Sequence, residues 1–599
     1  MLTNSGVVVW RNLGDQFMNT SDRAVTHELT SAGDEKIGSP GNLLASGDLD
    51  NDGDTDLIVR SASGALRVAR NEGGNSNHSL HVNLTGRVSN RSAVGSKVEV
   101  RAGSLGQKLE VYSATPAPAP ADVVFGLGAR LSADAVRILW PAGIVQAEME
   151  SARASDPKKT TAILPVTELD KKPSSCPFLY TWNGDRFEFI TDFMGGGEMG
   201  YQESPGRFNT PDPDEYVRIR SDQLKERDGR YELRVTNELE EVLYVDHLQL
   251  IALSHPQTVE VYPNEGMTEP PRPFVLYKTR GARPPLSATD DRGRDVLPRL
   301  AKVDRQFVED FPLDPVRGYA REHALTLKLD EEGARNKRTV LLLTGWTDYA
   351  FSSDNIAASH SGKESKLPAL QVKDARGQWR TIIEDIGIPV GRPQTVTVDL
   401  TGKFLSPSRE VRIVTSLRIY WDQILVDTSS GDAPVQMTRL DPLTADLHWR
   451  GYSSEVTPDG REPFGYDYEK VTASAPWKVF PGRYTREGDV RELLKATDDI
   501  FVISRTGDEL SLSFDARALP ALPKGWTRTF LLYADGFSKE MDINSASPDQ
   551  VLPLPFHGMK RYPYGADENY PMTEARRAIM ERYNTRVVIS PLPTLAVMK

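Results

Sequence analysis

The chain alternates between apolar and polar residues at short range far more often than it repeats at helical spacing. His81-Val82-Asn83-Leu84, Lys97-Val98-Glu99-Val100-Arg101, Lys108-Leu109-Glu110-Val111-Tyr112 and Val136-Arg137-Ile138-Leu139-Trp140 each carry a period of two, which predicts half-buried strands. Further strands are expected at Tyr231 to Val235, Val242 to Ala252, Thr339 to Leu343, Thr395 to Leu400, Val411 to Val426 and Leu510 to Phe514. Asn183-Gly184 lies between the aromatic runs Tyr180-Thr181-Trp182 and Phe187-Glu188-Phe189, a strong hairpin signal because both residues tolerate positive φ. Helical spacing is confined to Asp489 to Ala496, with Val490, Leu493 and Leu494 on one face, and to Thr573 to Tyr583, where Thr573 is placed to cap.

The expected fold is therefore mainly β, with a partial propeller-type repeat followed by several sandwich-like domains and few short helices. At 599 residues the chain is too long for one core. Ser5-Gly6-Val7-Val8-Val9-Trp10-Arg11-Asn12 parallels Ser63-Gly64-Ala65-Leu66-Arg67-Val68-Ala69-Arg70-Asn71, a blade-like repeat, and the chain opens near the end of one such repeat. The expected division is 1–75 for the repeat, 76–150 for a β domain, 151–175 for a polar linker, 176–260 for a β domain, 261–430 for a sandwich-like domain and 431–599 for a β-rich end with short helices.

One loop carries chemistry. Asp48-Leu49-Asp50-Asn51-Asp52-Gly53-Asp54-Thr55-Asp56 places five aspartates in nine residues, immediately before Leu57-Ile58-Val59. Unpaired, they would repel, and a hard divalent cation removes that cost. Asp48, Asp50 and Asp52 alternate so that their carboxylates converge, Gly53 permits a sharp turn, Asp54 offers its carbonyl and Asp56 closes the ring. An EF-hand would place a bidentate Glu where Val59 stands, so this is the Asp-x-Asp-x-Asp-Gly-x-x-Asp loop of β-repeat proteins, with strand flanks. Magnesium retains its waters and demands an octahedron, so one calcium ion, in a structural role, is the expected occupant.

Other candidates weaken in context. Gly195-Gly196-Gly197-Glu198-Met199-Gly200 satisfies a dinucleotide fingerprint, but Tyr201-Gln202-Glu203-Ser204-Pro205-Gly206 after it is not helical, so we expect a flexible loop able to line a cleft. Cys176 is the only cysteine, which excludes an intrachain disulfide, and without a histidine partner it reads as a packed residue rather than a nucleophile. His78 and His81 fall on opposite strand faces and make poor co-ligands. Asp422, in an apolar strand, reads as a hydrogen-bonded rim residue or, alternatively, as a general acid. Trp346, Tyr349, Phe351, Trp379, Tyr420 and Trp421 cluster nearby, as core or as a stacking platform for sugars.

Net charge of −12 argues against nucleic acid or anionic membrane as the main partner. No apolar run reaches the ~18 residues of a membrane span, and the first residues lack the features of a signal peptide.

Gly47 to Val59 resembles the FG-GAP/VCBS repeat of integrin-type propellers. Asn71-Glu72-Gly73-Gly74-Asn75, Ser89 to Val98, Val124-Phe125-Gly126-Leu127-Gly128 and Trp140-Pro141-Ala142-Gly143 together resemble the ASPIC/UnbV domain that follows such propellers in bacterial cartilage-acidic-protein-like proteins. The resemblance implies secretion to the extracellular space, cell surface or periplasm, calcium at Asp48, Asp50, Asp52, Asp54 and Asp56, and adhesion or recognition of a protein or glycan. Rival readings are a glycan-active hydrolase using Asp422 with a second carboxylate and a structural assembly subunit, and the balance is against an enzyme.

Overall fold

The computed structural model describes residues 2–3, 6–7, 10–12, 17–19, 42–50, 56–60, 64–70, 77–86, 89–112, 122–141, 145–149, 160–168 and 176–589, the last without 269, 332–336, 474–478, 541, 543, 548 and 549. It is mainly β and falls into two compact units, Met1–Lys171 and Lys172–Lys599. Among the described residues no helix is long and apolar enough to cross a membrane.

In the first unit, Asn42–Gly47, Asp56–Arg60 and Leu66–Ala69 form an antiparallel three-stranded sheet. Downstream, Leu105–Glu110, Lys97–Ala102, Ala135–Leu139 and Val145–Met149 form one sheet, and Asp122–Gly128, His78–Thr85 and Thr161–Thr167 form another. The period of two does its work here. Val98 and Val100 from one sheet, Leu80 and Val82 from the other, and Val136 and Ile138 all turn into one core with Phe125 and Trp140. The buried Trp140 indole donates to Gln146 Oε1 at 2.9 Å, so its polar edge is satisfied.

The second unit is built on two sandwiches. The first packs a six-stranded sheet, ordered Phe187–Asp192, Phe178–Trp182, Arg230–Thr236, Asp508–Asp515, Thr444–Trp449 and Gly488–Asp489, against a sheet of Asp214–Ile219, Trp526–Glu540, Glu241–Pro256 and Gln436–Leu440. Strands from 176–260 thus pair with strands from 431–540, and these two segments fold as one body around the intervening one. The second sandwich is contained within residues 287–427. Its sheets, Ser287–Asp290 through Trp379–Ile383 and Gln394–Asp399 with Val340–Thr347 and Ile419–Asp427, enclose Leu341, Leu343, Ile413, Ile424 and their neighbours.

The Asn183–Gly184 hairpin forms with Trp182 opposite Phe187, and Gly184 takes φ +104°. Thr573 caps Glu574–Tyr583 by accepting from Arg576 N–H at 3.2 Å. The helix expected over Asp489 to Ala496 shrinks to a 3₁₀ turn, Arg491–Leu494, because Gly488–Asp489 is drawn into a strand pairing with Asp446 and Leu447. The outer face of the Glu241–Pro256 and Trp526–Glu540 ladder is covered by the C-terminal segment, through Tyr244, Phe537, Val551, Leu554 and Tyr562.

Candidate functional site

The acidic loop of the first unit joins Asn42–Gly47 to Asp56–Arg60, and its described residues bring three carboxylates together. Asp48, Asp50 and Asp56 each offer an oxygen within 4.8 Å of the others. Asp56 is buried and its Oδ2 accepts Leu49 N–H at 2.9 Å, which folds the loop back on its own exit strand. Asp50 pairs with Arg70, at the end of the next strand. His81 Nε2 lies 3.3 Å from Asp48 Oδ2, a close contact without hydrogen-bond geometry. Hard oxygen donors arranged this way suit calcium. Asp52 and Asp54 lie outside the described residues.

In the second unit the glycine-rich loop corrects the sequence reading. It is packed and largely buried, and its glycines are required by close approach. A Cβ at Gly195 would lie 2.6 Å from Val390 Cγ1, one at Gly197 2.5 Å from the Gly536 carbonyl and one at Gly200 2.6 Å from Ala546 Cβ. Cys176 is buried against Gly195, and burial, with Asp192 adding, pushes its thiol well above the usual range, which favours the thiol over the thiolate.

Beside this loop opens a cleft of about 580 Å³, lined by Gly195, Glu198, Tyr201, Arg207, Tyr319, Tyr349, Lys363 and Asp385 among others. Asn355 of the helix Ser352–His360 braces it, donating to Tyr201 Oη at 2.7 Å and accepting from Tyr319 Oη at 2.8 Å. Polar groups on tyrosine walls suit an oxygen-rich ligand. Of the six aromatic residues singled out in sequence, Tyr349 lines this cleft. Trp346 and Tyr420 are stacked 4.5 Å apart, Phe351 lies against Arg317, and Trp379 is flanked by Arg412 and Lys373. Trp346, Phe351 and Trp421 are buried, which fits packing rather than a sugar platform.

Asp422 is 1% exposed, and its carboxylate accepts the N–H groups of Asp304 at 3.3 Å and Arg305 at 3.0 Å. Burial raises its pKa, and those two hydrogen bonds oppose the rise. It anchors a loop in which Arg305 adopts φ +67°, the structural role expected of a rim aspartate.

Sequence reading missed a second set of charges. Asp246, Asp499 and His557 bring their ligand atoms within 4.8 Å of one another although 253 residues separate the first two. A further acidic group surrounds Glu215, whose Oε2 accepts Met194 N–H at 2.6 Å and whose Oε1 accepts from Gln394 at 3.1 Å. Burial, with Asp192 and Asp212 adding, pushes Glu215 up to about 8. Burial, with Glu215 adding, holds Glu265 well above the usual range. No spacing rule could have found these groups, because each set is gathered by tertiary packing of strands and loops distant in sequence.

Residues 86–154 match the ASPIC and UnbV family, which supports that part of the sequence resemblance. No curated protein matches the chain. The matched residues include the whole four-stranded sheet and the strand Asp122–Gly128 of the other sheet, with Val98, Phe125 and Trp140 of the core, and so the first unit contains an ASPIC/UnbV domain.

Proposed function

We propose that the protein is a calcium-binding recognition, adhesion or scaffold protein, secreted or surface-exposed, that binds a protein or glycan partner. The observation that carries this reading is the convergence of Asp48, Asp50 and Asp56 at a strand junction. In this reading residues 1–75 are an FG-GAP/VCBS-type repeat, one calcium ion sits on Asp48, Asp50, Asp52, Asp54 and Asp56, and the ion pins the loop ahead of the ASPIC/UnbV domain. The tyrosine-lined cleft of the second unit supports recognition of a hydroxyl-rich ligand. The burial of Asp422 counts against a hydrolase built on that residue.

Isothermal titration of the full chain should give one calcium per molecule, lost in the Asp50→Ala/Asp52→Ala variant. Glycan-array binding by wild type, abolished by Tyr201→Ala or Tyr349→Ala, would place the partner in the cleft. Absence of calcium uptake by wild type at millimolar calcium would overturn the reading.

A further inference from the structure

Glu241–Pro256 does not run as a regular strand along Trp526–Glu540. Val245 is paired with Gly536 and His247 with Asp535, so Asp246 is the extra residue of a β-bulge. A bulge re-aims one side chain, and this one directs a carboxylate into a buried position. Gly536 opposite takes φ +155° and leaves no room for a Cβ against the Tyr244 carbonyl.

Asp246 is 0% exposed. Its Oδ2 accepts the N–H groups of Asp498 at 3.0 Å and Asp499 at 2.9 Å, which fixes the carboxylate in place. Its Oδ1 has no hydrogen-bond partner among the described residues. Leaving such an oxygen buried and unsatisfied is costly unless something binds there. His557, on a loop of the C-terminal segment, approaches the other oxygen of the same carboxylate. Its Nδ1 is 2.8 Å from Asp499 Oδ1 and 3.7 Å from Asp246 Oδ2, and its Nε2 is 2.8 Å from Asp535 Oδ1.

We propose that Asp246, Asp499 and His557 form a second metal site, distinct in chemistry from the acidic loop, for a divalent transition ion of the zinc class. The donors are one imidazole nitrogen and two carboxylates, a set that borderline ions take and calcium, which prefers six to eight oxygens, does not. Ligands at about 2.1 Å around a tetrahedral ion lie about 3.4 Å apart, and the 2.8 and 3.7 Å separations bracket that value. Asp535 supplies the usual outer partner by accepting Nε2–H, and the proton that Nδ1 shares with Asp499 Oδ1 at 2.8 Å is the one the ion displaces. Arg576 lies 3.4 Å from the other Asp499 oxygen and balances part of the remaining charge. Occupied, the site ties the covering C-terminal loop to the bulge and to the segment before Val502–Ser504.

The test is zinc titration of the full chain, stripped of metal and kept in 2 mM calcium so that the acidic loop is already satisfied. One zinc per chain should bind, with affinity reduced at least tenfold in Asp246→Asn and His557→Gln and unchanged in Asp50→Ala/Asp52→Ala. Copper(II) in place of zinc should show superhyperfine splitting from one nitrogen, absent in His557→Gln. If Asp246→Asn does not fold, the partly exposed His557 carries the test. No saturable zinc binding to wild type at 1 mM, or equal binding by wild type and His557→Gln, would overturn the proposal.

Discussion

Asp50 and Glu238 are both acidic residues facing an arginine, but their surroundings differ. Asp50, in the loop of the first unit, is partly exposed, and its partner Arg70 is 55% exposed. Glu238, in the first sandwich of the second unit, has no exposed surface. It accepts from Ser453 N–H at 2.5 Å, Ser453 Oγ at 2.6 Å and Thr236 Oγ1 at 2.9 Å, and Arg450 lies 3.3 Å away. Water screens the first pair and leaves it adaptable, open to exchange of one cation for another. The second pair was stripped of water when the sandwich closed, so every donor around it became indispensable. One acidic composition therefore yields an adjustable site in one place and a rigid fastening in another.

The largest effect should come from breaking the fastening. Arg450 is 3.2 Å from Glu509, which is also buried, as well as contacting Glu238, and its guanidinium stacks 4.1 Å over Tyr468. Arg450→Met would leave buried Glu238 without its cation and buried Glu509 with Arg234 alone, and should cost about 3–5 kcal/mol in urea unfolding. A loss below about 1 kcal/mol would mean that water reaches Glu238 and that the contrast is false.

Next in size is the calcium effect on the loop. A site with Kd near ~20 μM should gain roughly 2–3 kcal/mol at ~2 mM calcium relative to EDTA. The gain should vanish in Asp50→Ala/Asp52→Ala, read by thermal unfolding. A gain that survives the double variant would place the calcium elsewhere.

The acidic loop and the Asp246 cluster also differ in how far the amino-acid order reveals them. The loop is legible because its donors are contiguous, just as Asn183-Gly184 and Thr573 announce a turn and a cap through neighbours alone. Asp246 is not, since Val245-Asp246-His247 reads as ordinary strand alternation and the bulge that turns Asp246 inward depends on Gly536 across the ladder. The glycine run 195–200 misled for a related reason: glycine signals freedom when nothing is near and close packing when Val390, Gly536 and Ala546 are, and that proximity is a tertiary fact. Helical spacing at Val490, Leu493 and Leu494 was real but served burial of a single turn.

Glu215 gives a pH handle on the buried class. Its folded pKa of about 8 lies above the value near 4.5 of an exposed glutamate. The folded state therefore holds a proton that the unfolded chain has released, and stability is fully present below about pH 4.5 and lost as pH rises through about 8. Glu215→Gln mimics the protonated form and preserves an acceptor for Met194 N–H. Because Glu265 and Asp212 are raised as well, its melting temperature should still fall from pH 5 to 9, but less than that of wild type, with the variant ahead at pH 9 by about 1–3 kcal/mol. Parallel curves would show that Glu215 is charged throughout and hydrated.

The smallest effect tests the adjustable side. Arg70→Ala removes an exposed partner, so without calcium it should cost under about 1 kcal/mol, and less at 0.5 M than at 0.05 M salt. With calcium the sign reverses. Arg70 and the ion compete for the same Asp50 carboxylate, so deleting the competitor should tighten calcium binding by about two- to fivefold, again more at low salt, since a fraction of a kcal/mol is all that an exposed pair supplies. Weaker calcium binding in Arg70→Ala would mean that the arginine holds Asp50 in its binding position. The loop would then resemble the buried network around Glu238, with an arginine that cannot be spared, and the distinction between an exchangeable and a fixed cation would fail at the residue where it should be clearest.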